Sequence, residues 1–106
     1  MDNAIGEVVF KKCDCYVYLG RYADDRYALY LKDKHTGERV AVASVNLPSA
    51  PMQDGEVAIK NWSENEGILQ TLVDADIVSR PIRRVPTGYV FAYICKINPE
   101  IIPESK

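Results

Sequence analysis

The chain of 106 residues is long enough for one domain and too short for two of ordinary size. Its hydrophobic share is 47% and its charged share 26%, which is typical of a folded globular protein and not of a disordered chain, a collagen-like repeat or a coiled-coil rod. The net charge of −2 shows no overall basicity that would indicate a nucleic-acid partner. We therefore expect a single domain over residues 1–106, with short mobile ends at about residues 1–6 and 98–106.

We expect neither a membrane segment nor a secretion signal in this chain. No stretch approaches the roughly 20 apolar residues of a membrane span. Residues 1–4 lack the basic start and the apolar run of a signal peptide. The three cysteines are an odd number, which does not suit a disulfide framework. We expect a cytoplasmic protein with no membrane partner.

Alternating patterns in the first half of the chain predict antiparallel strands. Apolar side chains recur at every second position over residues 13–19, and residues 8–10 either begin this strand or form one of their own. Residues 27–32 and 39–47 predict the next two strands, with a hairpin loop at residues 33–38 between them. Strands joined by such short turns form a meander.

The second half predicts one helix among further strands. Residues 56–60 predict a short strand, after which Ser63 and Glu66 have the spacing of a capping box. The helix is expected at about residues 64–75, and its apolar stripe consists of Ile68, Leu69, Leu72 and Val73. Residues 77–85 contain Pro81 and predict an edge strand or a loose extension. Residues 89–97 are apolar on both faces and predict a central strand.

These elements predict an α+β fold, with an antiparallel sheet of about five strands and one helix packed on one of its faces. One helix leaves the second face of the sheet uncovered. That face carries Tyr16, Tyr18 and Tyr30. The three tyrosines either pack against each other across the strands or form an exposed aromatic patch for a partner.

Four segments of the chain resemble a family of small uncharacterised bacterial proteins carried by phages, plasmids and integrated elements. They are VNLP at residues 45–48, GEVAIK at 55–60, WSENEGIL at 62–69 and GYV at 88–90. The resemblance covers about residues 22–97 and implies a mobile-element context, with no known activity and no catalytic residues. This chain has Asp76 where the family pattern suggests a glycine at the end of the helix.

The sequence contains no recognisable catalytic or metal-binding motif. His35 is the only histidine and lies in a predicted loop. The positions of Cys13, Cys15 and Cys95 do not have the spacing of a zinc site that would include His35. We therefore expect these three cysteines to be buried thiols. The expectation is a non-enzymatic protein with no cofactor and no metal.

Charge is segregated in the second half of the chain. Residues 54–76 carry one lysine and six acidic residues, whereas residues 77–96 carry three arginines, one lysine and no acid. The acidic candidates are Glu64, Glu66 and Asp74 on the predicted helix. The basic candidates are Arg80, Arg83 and Arg84 on the predicted edge.

The acidic candidates lead to the first functional hypothesis. In this hypothesis the protein inhibits a host defence protein, in the manner of an anti-CRISPR or anti-restriction protein, by contacting it with the acidic face. The second hypothesis is a nucleic-acid-binding accessory protein that uses the basic edge and the tyrosines. A small enzyme is the third and least supported alternative.

Overall fold

A computed structural model of the chain describes residues 4–102. The predicted α+β class, with antiparallel strands and one α-helix, is confirmed. In this range the strands are β1 (Ala4–Phe10), β2 (Cys13–Arg21), β3 (Tyr27–Asp33), β4 (Arg39–Val42), β5 (Glu56–Ile59), β6 (Arg83–Thr87) and β7 (Val90–Lys96). The α-helix α1 is Ile68–Asp74, and two short 3₁₀ helices are Ser63–Asn65 and Pro99–Ile101. No helix in this part of the chain is long and apolar enough to cross a membrane.

The strands form two antiparallel sheets and not one sheet of about five strands. The first sheet has the order β1-β2-β3-β4 and the second has the order β5-β7-β6. The predicted strand at residues 39–47 ends at Val42, because the chain then crosses to the second sheet. There Ser44 pairs with Ile59, and the Val45 N–H donates to the Ala58 carbonyl at 3.0 Å.

A hairpin between β1 and β2 was not predicted from the sequence as a separate turn. Phe10 pairs with Cys13, so Lys11 and Lys12 form the two-residue turn, with φ angles of 50° and 67°. Tight hairpins need positive φ at such positions, and Asn-Gly or Asp-Gly usually supplies it. Two lysines give no such signal. The predicted mobile segment at residues 1–6 overlaps β1 from Ala4 onward, and the one at residues 98–106 overlaps the 3₁₀ helix Pro99–Ile101. Residues 1–3 and 103–106 lie outside the described residues.

The main core lies between the two sheets and is completed by α1. Leu29 and Leu31 of β3 and Ile59 of β5 are fully buried, as are Ile68 and Leu72 of α1. The predicted apolar stripe of the helix is confirmed, since its other two residues pack at the edge of the same cluster. The helix also contacts β1. It therefore covers the side of the core next to the first strand.

The predicted capping box and the predicted helix start are wrong. Ser63 has a positive φ of 56° inside a 3₁₀ turn, and α1 begins only after Gly67, whose φ is 93°. The side-chain oxygen of Asn61 accepts a hydrogen bond from the Leu69 N–H at 2.9 Å. Asn61 therefore satisfies one free N–H of the first helical turn from outside the helix. Gly67 supplies the left-handed conformation that the chain needs at this bend.

Helix α1 ends in a Schellman motif despite the absence of a glycine. Asp76 adopts the left-handed conformation, with φ of 62°. The Ile77 N–H donates to the Leu72 carbonyl and the Asp76 N–H donates to the Val73 carbonyl, both at 3.0 Å. Aspartate tolerates this conformation better than most residues. The buried side chains of Leu72 and Ile77 supply the apolar contact that accompanies the motif.

The second sheet is covered on both faces, and β7 is its central strand, as predicted. One face contributes Cys95 and Val57 to the main core. On the other face Ala58, Ala92 and Ile94 form a second cluster. Its partly buried cover consists of Val45, Leu47, Met52, Trp62 and Val85. This arrangement explains why residues 89–97 are apolar on both faces of their strand.

Candidate functional site

The outer face of the first sheet carries tyrosines and basic side chains. Tyr18 lies opposite Tyr30, and Tyr16 lies opposite Lys32. On the far side of Tyr30 lies Val42 of β4. The prediction that the three tyrosines share the second face of the sheet is therefore confirmed. The name tyrosine face is used below for Tyr16, Tyr18, Tyr30, Lys32, Lys34 and Arg39.

The tyrosine face is built around one stacked aromatic pair. The ring centroids of Tyr18 and Tyr30 are 5.5 Å apart, and the ring planes differ by 14°. Cross-strand packing of this kind stabilises sheets. Tyr16 keeps 37% of its surface exposed, and so does Val42. Part of the aromatic and apolar surface of this face is thus open to solvent.

Cationic groups lie close to the rings of the tyrosine face. The Lys32 Nζ is 5.3 Å from the centroid of the Tyr18 ring and 5.9 Å from that of Tyr30. The Arg39 guanidinium is 5.5 Å from the Tyr30 centroid on the same face. These cation–π contacts are each worth about 0.5–1 kcal/mol at exposed sites. They place positive charge directly beside a pair of aromatic rings.

The two lysines and the arginine of the tyrosine face were not identified from the sequence. The signal for Lys32 was present, because it is two residues from Tyr30 and therefore shares its face. Lys34 lies beyond β3, with its Nζ 5.1 Å from the Tyr16 ring and in an ion pair with Glu7. Arg39 becomes a neighbour of Tyr30 only through the pairing of β3 with β4.

The predicted basic edge does not present three equivalent arginines. Arg83 forms two hydrogen bonds to the Glu56 carboxylate, Nη2 to Oε1 at 2.7 Å and Nη1 to Oε2 at 3.2 Å. Glu56 is only 5% exposed, and the hydrogen bonds from Arg83 lower its pKa. The Arg84 guanidinium lies 4.3 Å from the Phe91 ring, and Arg80 is exposed. The charge of Arg83 is therefore offset by Glu56, although 39% of the Arg83 side chain is exposed, and Arg80 and Arg84 are exposed as well.

The predicted acidic residues do not lie together on one helix. Glu64 is in the 3₁₀ turn, Glu66 is in the following bend and Asp74 is the last residue of α1. The Lys60 Nζ lies 3.1 Å from the Glu64 carboxylate. Hydrogen bonds from its own backbone N–H and from Lys60 lower the pKa of Glu64. Lys60 thus offsets the charge of Glu64, whereas Glu66 and Asp74 are exposed.

Cys15 and Cys95 are buried thiols, as predicted, whereas Cys13 is only partly buried. The Cys13 Sγ donates a hydrogen bond to the Asp33 carboxylate at 3.2 Å, which raises the pKa of the thiol to about 12. Burial raises the pKa of Cys95 to about 12 as well. Protonated thiols are poor nucleophiles. In the part of the chain that the structure describes, no group of three or more His, Cys, Asp and Glu residues could hold a metal ion.

The residues that carry the family resemblance have roles in the fold. Trp62 covers the second cluster, and the Asn65 side chain, which is 1% exposed, donates to the Val42 carbonyl at 2.6 Å. The mobile-element family of the chain stays a prediction. Comparison with protein-family models, with curated proteins and with solved structures gave no match.

Proposed function

We propose that this protein is a small non-enzymatic binding protein that binds single-stranded nucleic acid on its tyrosine face. The observation that carries this proposal is the stacked pair of Tyr18 and Tyr30 with the Lys32 ammonium group beside both rings. Proteins that bind single strands combine aromatic rings, on which bases stack, with cations that contact the phosphates. A base has an aromatic face and its phosphate a negative charge, so one nucleotide matches both features of this surface.

The negative net charge of the whole chain limits the expected affinity for nucleic acid. With a net charge of −2, attraction comes only from the local cations of the tyrosine face, which are Lys32, Lys34 and Arg39. Lys34 is partly offset by its ion pair with Glu7. Two to three phosphate contacts give a log–log salt slope of roughly −1.4 to −2.1 for a single strand. We therefore expect moderate affinity that falls as the salt concentration rises.

The test is the affinity of the protein for a labelled oligothymidine, measured by fluorescence anisotropy. The variant Tyr18→Leu/Tyr30→Leu removes both rings but keeps apolar side chains on the strands. Tyr89→Leu is the matched control, because Tyr89 is fully exposed at the turn between β6 and β7. We expect the double variant to bind at least about tenfold more weakly, since each base stack contributes about 1–3 kcal/mol. Equal affinity of all three proteins would contradict the proposal.

A second candidate function is binding of a basic host protein through the acidic side chains. It is favoured by the exposure of Glu66 and Asp74. In this case the protein acts as an inhibitor, as in the first functional hypothesis, and its partner is a host defence protein with a cationic surface. The variant Glu66→Lys/Asp74→Lys should then release a captured host protein without any change in oligothymidine binding. Retention of the captured protein by this variant would contradict the second candidate.

A further inference from the structure

We infer that a shallow depression beside Tyr30 is a subsite for one nucleotide unit, the base on its floor and the phosphate at Arg39. This inference rests on the proposed function and deepens it by naming where one nucleotide lies. The depression has a volume of about 370 Å³. Its lining includes Gly20, Ala28, Tyr30, Arg39 and Val42. That volume is within the range of pockets that bind small ligands, about 300–1,000 Å³.

The floor of the depression exists because two small residues are paired across β2 and β3. Gly20 lies opposite Ala28, directly beside the opposed pair Tyr18 and Tyr30. Along the outer face, two large side chains are therefore followed by a glycine and an alanine, which leave the backbone almost uncovered. A Cβ added at Gly20 would lie 3.6 Å from the Tyr30 Cε1, so the edge of this ring borders the floor. A flat aromatic group can lie on this part of the backbone with less steric conflict than a branched group.

The rim of the depression has the chemistry of a nucleotide site. Arg39 lies 5.5 Å from the Tyr30 ring and also lines the depression, so its guanidinium can reach the phosphate of a nucleotide whose base lies on the floor. Tyr22 also lines the depression, and its hydroxyl is hydrogen-bonded to the hydroxyl of the buried Ser44 at 2.8 Å. The floor residues have no polar side chains. We therefore expect recognition of the base by apolar contact with the floor and with the edge of the Tyr30 ring, with little preference among the four bases.

The experiment fills the depression without removing a tyrosine. Gly20 does not have a positive φ, and an added Cβ would meet Tyr30 at an ordinary contact distance, so the strand accommodates a β-carbon there. Gly20→Val adds two further methyl groups that fill the depression, and valine favours strands. Ala28→Val is a second variant in case Gly20→Val does not fold. Ala75→Val is the matched control, because Ala75 is exposed at the end of α1. The probes are oligothymidine, adenosine 5′-monophosphate and ribose 5-phosphate.

We expect adenosine 5′-monophosphate to shift the amide NMR signals of Gly20, Ala28 and Tyr30, and ribose 5-phosphate to shift them much less. Gly20→Val and Ala28→Val should each bind oligothymidine at least about fivefold more weakly than the control Ala75→Val, because the base loses its contact with the floor. If wild type binds oligothymidine through Tyr18 and Tyr30 but folded filling variants bind equally well, the subsite is wrong and the proposed function stands. If wild type does not bind oligothymidine, the proposed function fails and the subsite fails with it.

Discussion

Arg83 connects three parts of the chain through one side chain. Its guanidinium binds the Glu56 carboxylate of β5 from the edge strand β6. It also donates to the Pro51 carbonyl at 2.8 Å, which fixes the loop before β5. Glu56 additionally accepts from the Gln53 N–H at 3.0 Å. Loss of the arginine would leave a nearly buried carboxylate with one hydrogen bond in place of three.

We predict that Arg83→Met lowers the free energy of unfolding by about 1–3 kcal/mol, because a buried acceptor loses its partner. Arg84→Met is the control, since the Arg84 guanidinium lies against the exposed Phe91 ring. The control should lose about 0.5–1 kcal/mol or less. Urea unfolding of both variants measures the difference. Equal losses would show that the Glu56 pair does not stabilise the fold.

The same ion pair predicts how stability depends on pH. The pKa of Glu56 is lowered in the folded protein, chiefly by the hydrogen bonds from Arg83. The stabilisation is therefore complete above the unfolded-state pKa of about 4.5, and it is lost as pH falls through the lower folded-state value. Thermal midpoints measured from pH 7 down to about pH 3 should decrease more for wild type than for Glu56→Gln. Parallel curves for the two proteins would contradict this assignment.

At the scale of single elements, the helix N-terminus shows how an apparent capping box can mislead. Ser63 is followed by Glu66 at the right spacing, but the helix begins five residues after Ser63. The oxygen that accepts a hydrogen bond from a helical N–H belongs to Asn61, which precedes the 3₁₀ turn. The left-handed Gly67 separates the 3₁₀ turn from the helix. The capping group is thus brought to the helix by the bend at Gly67.

We predict that Asn61→Ala lowers the free energy of unfolding by about 1 kcal/mol, as loss of a helix cap does. Ser63→Gly should instead stabilise the protein or leave it unchanged, because Ser63 has a positive φ that glycine adopts without strain. Chemical unfolding of the two variants distinguishes the structural cap from the one that the sequence suggests. A larger loss of stability for Ser63→Gly than for Asn61→Ala would indicate that Ser63, and not Asn61, caps the helix.

Local patterns predicted those elements whose side chains alternate between core and solvent. Leu29 and Leu31 repeat with a period of two, and Ile68 and Leu72 repeat with a helical period, so burial was visible in the sequence. The sequence did not predict the turn at Lys11 and Lys12 or the left-handed conformation of Asp76. Neither lysine nor aspartate favours a positive φ strongly. The division into two sheets depends on Ser44 reaching Ile59, a pairing that local periodicity does not encode.

At the scale of the whole molecule, the two sheets have different surroundings. The second sheet packs against the core on one face and is covered by residues of the loop before β5 and by Trp62 on the other. The first sheet packs its inner face on the same core, while its outer face holds the tyrosines and basic side chains. The chain thus combines a covered sheet with one that presents an aromatic and cationic surface. That surface is the basis of the proposed single-strand binding.

The most direct test of single-strand binding is to map the oligothymidine contact surface by amide NMR at low salt. The account predicts saturable shifts that cluster at Tyr16, Tyr18, Tyr30 and Lys32 and that weaken as salt is added. The basic edge at Arg80 and Arg84 serves as the internal comparison, because it is also cationic but lacks the stacked tyrosine pair. Shifts confined to that edge, or no saturable shifts at all, would contradict the assignment of nucleic-acid binding to the tyrosine face.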